Sequence, residues 1–392
     1  MLDNLKIVSL CHYLQGPAAV QYLADMGADV IKVEPPGGAH ERHWSGGNVY
    51  VGGVSGFFLC TNRNNRSLAL DLKSEAGRKI FLEMIKHTDV VVENFRAGVM
   101  DRLGLGYDIL KQHKPDLILA SASGFGASGP ASNRPGQDLL IQARSGLMSV
   151  TGSANLPTPA GCAVVDQHGA SLLAMGILGA YVKKLVTGQG SLVEASLFNA
   201  GIDLQMEAIT NYLSGGFDRS KLKREKNLAT WYHPAPYGVY EASDGFIAIS
   251  TIDPSRFAEV LDCDVLRKMA SIDRYTERDQ FAVAVVEAVK KFTRLGLSNR
   301  LDEAGLWNAP VQDYDDLEHD PQVKHNNAII SAEVNGETAK LVNHPLRYDG
   351  EVPPLRNLAV NLGEHTKEIL KELGYSERQI SDFVSEGVVV CA

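Results

Sequence analysis

Paired cysteines are missing from this 392-residue sequence, and positive charge is in short supply. The five cysteines are isolated and form no CxxC pair: Cys11, Cys60, Cys162, Cys263 and Cys391. That pattern argues against a zinc ribbon and against a disulfide-bonded scaffold. Lysine and arginine number 38 against 47 aspartate and glutamate, for a formal net charge of −9. Because nucleic acid rewards a basic surface, we expect no nucleic-acid partner.

Long apolar runs and a targeting leader are also missing. No apolar run reaches the roughly 18 residues typical of a membrane span. The longest run, from Leu172 to Val182, is interrupted by Gly176 and Gly179. The amino terminus, MLDNLKIVSL, shows no cationic leader followed by a long apolar core. We therefore expect a cytoplasmic protein that does not bind a membrane.

The sequence also lacks the common phosphate-binding, nucleophile and metal motifs. Its first loop, CHYLQGPAAV, offers one glycine, Gly16, followed by Pro17, which removes a backbone donor. A nicotinamide site needs three glycines at this place. No GxxxxGK[ST], GxSxG or HExxH motif occurs in the chain. We therefore expect no nicotinamide cofactor, no ATP-driven chemistry and no metal site.

Strand-like and helix-like segments alternate through the first third of the chain. They are LKIVSL, GPAAVQYLADMG, ADVIKVE, SEAGRKIFLEMIKHT, DVVVEN and DLILASASGFG. This alternation predicts an α/β fold with a mostly parallel, doubly wound sheet. Ser74 is predicted to cap one helix, and the Ser376-x-x-Gln379 spacing predicts a capping box on the last helix.

The amino-acid composition changes after a helix-rich stretch that ends near residue 214. The segment SGGFDRSKLKREKN is polar and charged, and the following YGVYEASDGFIAIS predicts a hairpin through Asp244 and Gly245. We therefore predict a small α+β domain over residues 225–330. The large domain then comprises residues 1–224 and 331–392.

Asp166 is the single acidic residue in PAGCAVVDQHGASLLAMGILGAYV, residues 159 to 182. It precedes a small-residue helix pattern that begins near Gly169, so the local sequence predicts a helix N-cap. The same position would keep a carboxylate ionised and oriented, as a nucleophile requires. The spacing alone does not choose between a cap and a nucleophile.

Basic residues collect in the amino-terminal half at Arg63, Arg66, Lys73, Arg96 and Arg102. Arg96 directly follows a predicted strand, and open α/β sheets bind ligands at the carboxyl ends of their strands. A phosphorylated ligand would suit that place, although a solvated helix face explains the same pattern.

Several longer stretches resemble one family in order along the chain. They are GADVIKVEPPG, NRNNRSLALDLKSEAGR, DVVVENFRAGVMDRLGLGYD, ASASGFGASGP, RPGQDLLIQARSGLMSVTG and LGEHTKEILKELG. Together they are similar to the class III CoA-transferases, the CaiB/BaiF group. The resemblance implies a Rossmann-like large domain that contains both termini, an inserted small domain, and two identical subunits interlocked like links of a chain. It also implies acyl-CoA and a carboxylic acid as substrates, with no tightly bound cofactor.

The resemblance implies the reaction and the role of Asp166. In the family, an aspartate at this motif attacks the donor thioester to give a mixed anhydride. The released CoA then forms an aspartyl-CoA thioester, which the acceptor acid resolves. The motif matches VVDQHGASLLAMGI, so the nucleophile is expected to be Asp166.

Other family roles transfer position by position. The resemblance places Asp138 close to the reacting centre, and His12 and Gln15 in a first loop that faces the same cleft. The residues that match family contacts to CoA, or lie in the same segment, are Leu70, Lys73, Asn94, Phe95, Arg96 and Arg102.

Gln137 departs from one branch of the family, the α-methylacyl-CoA racemases, which carry a histidine base in this stretch. Glutamine cannot take up a proton, so this position disfavours a racemase or isomerase, which stays as the alternative to a CoA-transferase. His168, near Asp166 in the sequence, has no assigned role. A CoA-binding protein without turnover, in which Asp166 only caps a helix, is the third possibility.

Overall fold

The computed structural model describes residues 1–153, 156–358 and 361–392. Its strands are β1 (Lys6–Ser9), β2 (Asp29–Glu34), β3 (Tyr50–Val51), β4 (Val54–Ser55), β5 (Asn65–Leu70), β6 (Val90–Glu93), β7 (Ile118–Ser123), β8 (Gly152–Ser153), β9 (Leu156–Pro157), β10 (Ser191–Ser196), β11 (Gly238–Ala242), β12 (Gly245–Ile249), β13 (Asn308–Pro310), β14 (Ile329–Val334), β15 (Glu337–Val342) and β16 (Val389–Val390).

The α-helices follow the same chain order. They are α1 (Gln15–Asp25), α2 (Gly56–Leu59), α3 (Glu75–Ile85), α4 (Val99–Arg102), α5 (Tyr107–His113), α6 (Asp138–Arg144), α7 (Leu147–Val150), α8 (Val164–Thr187), α9 (Leu197–Asp203), α10 (Met206–Ser214), α11 (Pro254–Val260), α12 (Asp264–Lys268), α13 (Arg278–Val289), α14 (Arg294–Glu303), α15 (Tyr314–His319), α16 (Pro321–Asn326), α17 (Thr366–Glu372) and α18 (Glu377–Ser385).

The first compact unit comprises Met1–Ile141, Ala163–Gly201 and Pro321–Ala392. Its central sheet has the order β10-β7-β6-β1-β2-β5-β16. Every pair in this sheet is parallel except β16 with β5. The prediction of a mixed α/β fold built on a mostly parallel sheet is confirmed.

Alternate residues of the central strands enter two different cores, as the two-residue period of a strand requires. Ile7 of β1 packs in a core with residues of α1 and α8, whereas Val8 packs in a second core with residues of α3, α5, α17 and α18. Helices thus cover both faces of the sheet. Because both faces are buried, these strands read as continuous apolar runs in the sequence.

Local capping chemistry sets several helix boundaries in this unit. Ser74 accepts a hydrogen bond from the N–H of Gly77 at the start of α3, and Ser376 and Gln379 form the predicted capping box of α18. Both sequence predictions are confirmed. Helix α8 has the length and apolar composition of a membrane span. A stripe along α8 that includes Leu173 and Ile177 is nevertheless buried in the core of the unit.

The second compact unit comprises Gln142–Cys162 and Ile202–Asp320. It contains the antiparallel sheet β11-β12-β13, and the β11–β12 hairpin turns between Ala242 and Gly245 as predicted. The unit differs from the predicted range 225–330, because it also includes residues 142–162 and 202–224 and ends at Asp320. The buried guanidinium of Arg224 gives one reason, because it donates to the carbonyls of Val150 and Gly152 at 2.9 and 2.7 Å and so ties residues 142–162 to this unit.

Candidate active site

The parallel strands of the first unit reach a topological switch point beside β1, and the space outside the carboxyl ends of β1 and β6 is the expected crevice. Counted along the chain, their order is 3-2-1-4-5-6, so the connections leave in opposite directions from β1 and β6. Sheets of this kind bind ligands outside the carboxyl ends of the strands at such a point. The residues that follow β1 and β6 are joined there: the N–H of His12 donates to Asn94 Oδ1 at 2.8 Å, and Asn94 Nδ2 donates to the His12 carbonyl at 2.6 Å.

The loop after β1 has an unusual backbone. Tyr13 lies in the left-handed region with φ +61°, which a residue with a side chain rarely adopts. Gly16 allows helix α1 to approach this loop closely, because a Cβ there would lie 2.5 Å from Cys11 Sγ. Strained backbone of this kind is common at functional sites. The loop is therefore the place in the first unit where a ligand contact is most expected.

Asp166 lies in the first turn of α8, and the predicted N-cap is wrong. The helix begins at Val164, its N-cap residue is Ala163, and that residue makes no side-chain cap hydrogen bond. The apolar residues before Asp166 therefore form the first helical turn. Periodicity missed this start because no residue near it in the sequence supplies the cap.

The cap comes instead from Asp138, which is distant in sequence. Asp138 Oδ2 accepts hydrogen bonds from the backbone N–H groups of Val165 at 2.8 Å and of Asp166 at 3.0 Å. Gly124 and Gly136 make this approach possible, because a Cβ on Gly124 would lie 2.5 Å from the Cα of Gly136. Asp138 thus satisfies two N–H groups that a helix start leaves unpaired. It also places a carboxylate beside the backbone of Asp166.

The electrostatics of Asp166 differ from the sequence expectation of a carboxylate that is held ionised. Burial, together with the negative charge of Asp138, raises the pKa of Asp166 to about 7. Desolvation and a like charge both disfavour the ionised form, and here they outweigh the favourable field of the helix start. Asp166 can therefore exchange a proton near neutral pH and is more basic than an ordinary aspartate when it is ionised.

A polar side chain packs against α8 one turn beyond Asp166. A Cβ on Gly169 would lie 2.7 Å from Gln15 Nε2, so the glycine provides the space that the amide occupies. Gly169 is three residues after Asp166, a spacing that places the two on the same helix face. Gln15 is 4% exposed, and its Nε2 is a buried donor without a protein acceptor in the part of the chain that the structure describes. Such a donor is poised for a ligand oxygen.

His12 lies between an aromatic ring and a buried carboxylate. Its ring centroid is 5.6 Å from that of Phe95, and its Nδ1 is 3.8 Å from Glu41 Oε2. Glu41 is fully buried, with Lys32 Nζ at 3.4 Å from its other oxygen. Burial alone raises the pKa of Glu41, but the neighbouring His12 and the charge of Lys32 prevail and lower it to about 2. Glu41 is thus an anion at physiological pH.

The predicted phosphate contacts follow strands on the two sides of β1. Lys73 is exposed after β5, and Arg96 and Arg102 are exposed after β6. Since β1 and β2 separate β5 from β6, the two groups follow strands about 14 Å apart at a strand spacing of about 4.8 Å. Cations after two different strands suit an extended ligand with more than one phosphate.

The other predicted site residues differ in their accessibility. Asn94 and Phe95 are half-buried at the crevice, and Gln137 is exposed immediately before α6. Leu70 is 1% exposed, and its side chain belongs to the core of the unit. The structure therefore gives Leu70 a packing role and does not offer its side chain as a surface for a ligand.

Three residues around the crevice were missed from the sequence: Glu41, Glu93 and Gly169. Glu93 ends β6, accepts hydrogen bonds from Ser121 Oγ and from the N–H of Phe95, and has a pKa raised by burial. No local motif marks these positions, since each acts through a neighbour that is distant in sequence. Within the described residues, no cluster of three histidine, cysteine, aspartate or glutamate side chains could hold a metal ion.

The fold and the crevice define an α/β protein with an ionisable aspartate at a helix start. The chain matches the family described as CoA-transferase family III over residues 2–366, and it belongs to that family. It is 33% identical to the succinyl-CoA:glutarate CoA-transferase of Homo sapiens, over 99% of this chain and 90% of that protein. It is 31% identical to the acetyl-CoA:oxalate CoA-transferase of Acetobacter aceti, over 96% of each.

A solved structure supports the same assignment. The crystal structure of a CaiB/BaiF family protein from Brucella suis superimposes with a TM-score of 0.82 at 30% identity, covering 95% of this chain and 99% of that one. The resemblance seen in the sequence is confirmed.

Proposed function

We propose that this protein transfers coenzyme A from an acyl-CoA donor to a free carboxylic acid, with Asp166 as the nucleophile. The Asp166 carboxylate attacks the thioester carbonyl, the C–S bond breaks, and its electron pair leaves on the CoA sulphur. The thiolate then attacks the aspartyl carbonyl of the anhydride, releases the donor acid and leaves an aspartyl-CoA thioester. The acceptor carboxylate reverses both steps. Because one thioester replaces another, the exchange needs no ATP and no tightly bound cofactor.

The observation that carries this proposal is the setting of Asp166. Its backbone is fixed by Asp138 at the start of a 24-residue helix, and its carboxyl group has a pKa of about 7. A carboxylate that is desolvated and oriented in this way is more nucleophilic than one in water, because less hydration must be removed before it attacks. Near neutral pH a substantial fraction of Asp166 is ionised and able to react.

Gln15 supplies a candidate donor for the oxygen charge that develops at the thioester carbonyl. Its buried Nε2 packs beside Gly169 on the helix that carries Asp166. A preorganised donor aimed at a developing oxyanion is worth about 10²–10³ in rate. Asp138 acts in this proposal as a positioning residue, since it holds the backbone of Asp166.

The crevice beside β1 is the proposed site of CoA. Asn94 and Phe95 would line the thiol arm, while Lys73, Arg96 and Arg102 would pair with the phosphates. The similarity to relatives with CoA-transferase names supports this assignment. Those relatives act on different acids, so the donor and the acceptor are left unassigned.

A mass-spectrometric experiment tests the proposed mechanism. The protein is incubated with a panel of acyl-CoAs, quenched, digested and searched for a CoA adduct or a hydroxamate on the peptide that contains Asp166. We expect the adduct in the unaltered protein and in Asp108→Asn, an exposed control, and none in Asp166→Ala. Transfer that persists in Asp166→Ala would exclude this mechanism. CoA binding without any adduct or transfer would indicate the non-catalytic alternative.

An acyl-CoA racemase or isomerase is the second candidate, because a pKa near 7 also suits proton transfer at the acyl α-carbon. Gln137 stands where that branch carries its histidine base, and glutamine cannot accept the proton. Incubation in D₂O separates the two functions. Deuterium enters the α-carbon of the acyl-CoA in a racemase and stays out in a transferase.

A second copy of the chain is the proposed protein partner. Helix α8 exposes apolar side chains that the first unit leaves uncovered: Met175, Val182, Leu185 and Val186, at 64%, 59%, 67% and 79% exposure. An apolar face of this kind suits a subunit interface. Light scattering should give twice the chain mass of 42.5 kDa. Leu185→Glu and Val186→Glu should weaken the dimer, whereas Lys183→Gln on the same helix should not.

We also propose a cytoplasmic location for the protein.

A further inference from the structure

The buried carboxylate of Glu41 has no part in the mechanism above, yet it faces a residue of the crevice. Glu41 lies in a short 3-10 turn, His40–Arg42, that follows β2. Its side chain is fully buried. One oxygen is 3.4 Å from Lys32 Nζ, and the other is 3.8 Å from His12 Nδ1. That second oxygen has no hydrogen-bond partner within the described residues. A buried anion with one oxygen unsatisfied is costly, so its place beside an imidazole requires an explanation.

The surroundings hold both the backbone and the ring of His12. Lys32 Nζ donates to the carbonyl of Cys11 at 2.8 Å, directly before His12, and Asn94 hydrogen-bonds both the N–H and the carbonyl of His12. Phe95 packs against the imidazole. Because Glu41 can only accept, a proton on the ring nitrogen 3.8 Å away is the state that suits this pair.

We propose that Glu41 is a positioning residue that keeps His12 protonated at Nδ1, so that Nε2 faces the sulphur of CoA at the crevice. This inference rests on the proposed CoA-transferase function. His12 contacts both Asn94 and Phe95, the proposed thiol-arm residues. It lies in the same loop segment as Gln15, which packs on the helix of Asp166. The ring is one-quarter exposed, and its Nδ1 side is directed toward the interior. Part of the ring is therefore accessible, and we place Nε2 on that side.

The arrangement bears on the step in which CoA leaves. When Asp166 displaces the thioester, the C–S electron pair becomes a thiolate, and no proton is needed for that bond to break. The carboxylate at Nδ1 orients the ring, as in catalytic histidine–carboxylate pairs. When both ring nitrogens carry a proton, Nε2–H donates to the thiolate and stabilises it until it attacks the anhydride.

Binding of CoA and of desulfo-CoA to the full chain tests this assignment, because the two ligands differ only at the sulphur. Glu41→Gln and His12→Ala should each weaken CoA about tenfold and leave the dissociation constant of desulfo-CoA within twofold. The double variant should be no weaker than either single variant, since the two residues act as one unit. In transfer assays kcat should fall with little change in KM. Lys73→Ala, a phosphate contact, should weaken both ligands equally.

The outcomes separate this inference from the function on which it rests. If the unaltered protein binds neither ligand, the CoA-transferase proposal fails. If it binds both, and His12→Ala keeps the unaltered ratio of the two dissociation constants, the His12–Glu41 inference alone is wrong. His12→Ala leaves the buried carboxylate in place, so this comparison holds even where Glu41→Gln does not fold. A matched change in another buried glutamate of the same segment, Glu34→Gln, should not alter the ratio.

Discussion

Replacing Asp166 by asparagine should stabilise the protein in a pH-dependent way while abolishing its proposed reaction. The pKa of Asp166 is raised from 3.8 to about 7 by burial and by the charge of Asp138. A carboxyl group whose pKa is raised by folding contributes stability that is fully present below the unfolded pKa and is lost as the pH rises through the folded pKa. Asparagine resembles the protonated acid and does not titrate. The Asp166→Asn variant therefore avoids the loss of stability that the unaltered protein shows as the pH rises.

The magnitude follows from the size of the shift. Each pKa unit corresponds to about 1.36 kcal/mol, so the difference between Asp166→Asn and the unaltered protein should be near zero below the unfolded pKa. It should reach about 1.6 kcal/mol at pH 5 and level off at about 4 kcal/mol above pH 8. These are upper bounds, because solvent around a partly exposed carboxylate reduces the penalty.

Calorimetric melting of both proteins from pH 4.5 to pH 9 measures this difference. Asp116→Asn provides a control of opposite sign. Burial raises the pKa of Asp116, but Lys184 and Lys114 prevail and lower it. Asp116→Asn should be less stable than the unaltered protein at neutral pH, and this difference in stability should disappear in acid. An Asp166→Asn variant that gains nothing above pH 7, or gains the same amount at every pH, would refute the stated electrostatics of Asp166.

Three further predictions concern other residues of the candidate site. Asp138→Asn keeps an oxygen acceptor for the helix N–H groups but removes the like charge, so adduct formation should keep its amplitude while its pH midpoint falls; an unchanged midpoint would contradict the charge effect. Gly169→Ala puts a methyl group 2.7 Å from Gln15 Nε2, so the amide must move and adduct formation should slow at least tenfold; an unchanged rate would exclude the proposed donor. At neutral pH, Glu41→Gln should destabilise the protein by about 3 kcal/mol, from a pKa lowered from 4.5 to about 2. Glu93→Gln should be neutral or stabilising, because burial raises the pKa of Glu93. Urea unfolding measures both variants, and an equal loss in the free energy of unfolding would contradict this contrast.

The fold was predictable from the sequence because its signals are local. Buried parallel strands appear as continuous apolar runs, and the helices between them carry their own caps, such as Ser74 and Ser376. The Asp-Gly pair in the second unit likewise specifies its hairpin within a few residues. The extent of the second unit was harder to predict. Arg224 makes its contacts with carbonyls more than 70 residues earlier in the chain, and no local pattern records them.

The site was predictable only in part, for the same physical reason. Family resemblance proposed Asp166, Asp138 and Gln15 as site residues, but it did not give the contacts that the structure shows among them. The start of α8 is capped from a distant position, so a local search for a cap assigned that role to the wrong aspartate. Once the cap is Asp138, the two carboxyl groups become neighbours, and their repulsion contributes to the raised pKa of Asp166. The residue that holds the backbone of Asp166 in place is thus also one that weakens the acidity of Asp166, and these two effects can be separated only by a substitution that keeps the hydrogen bonds and removes the charge.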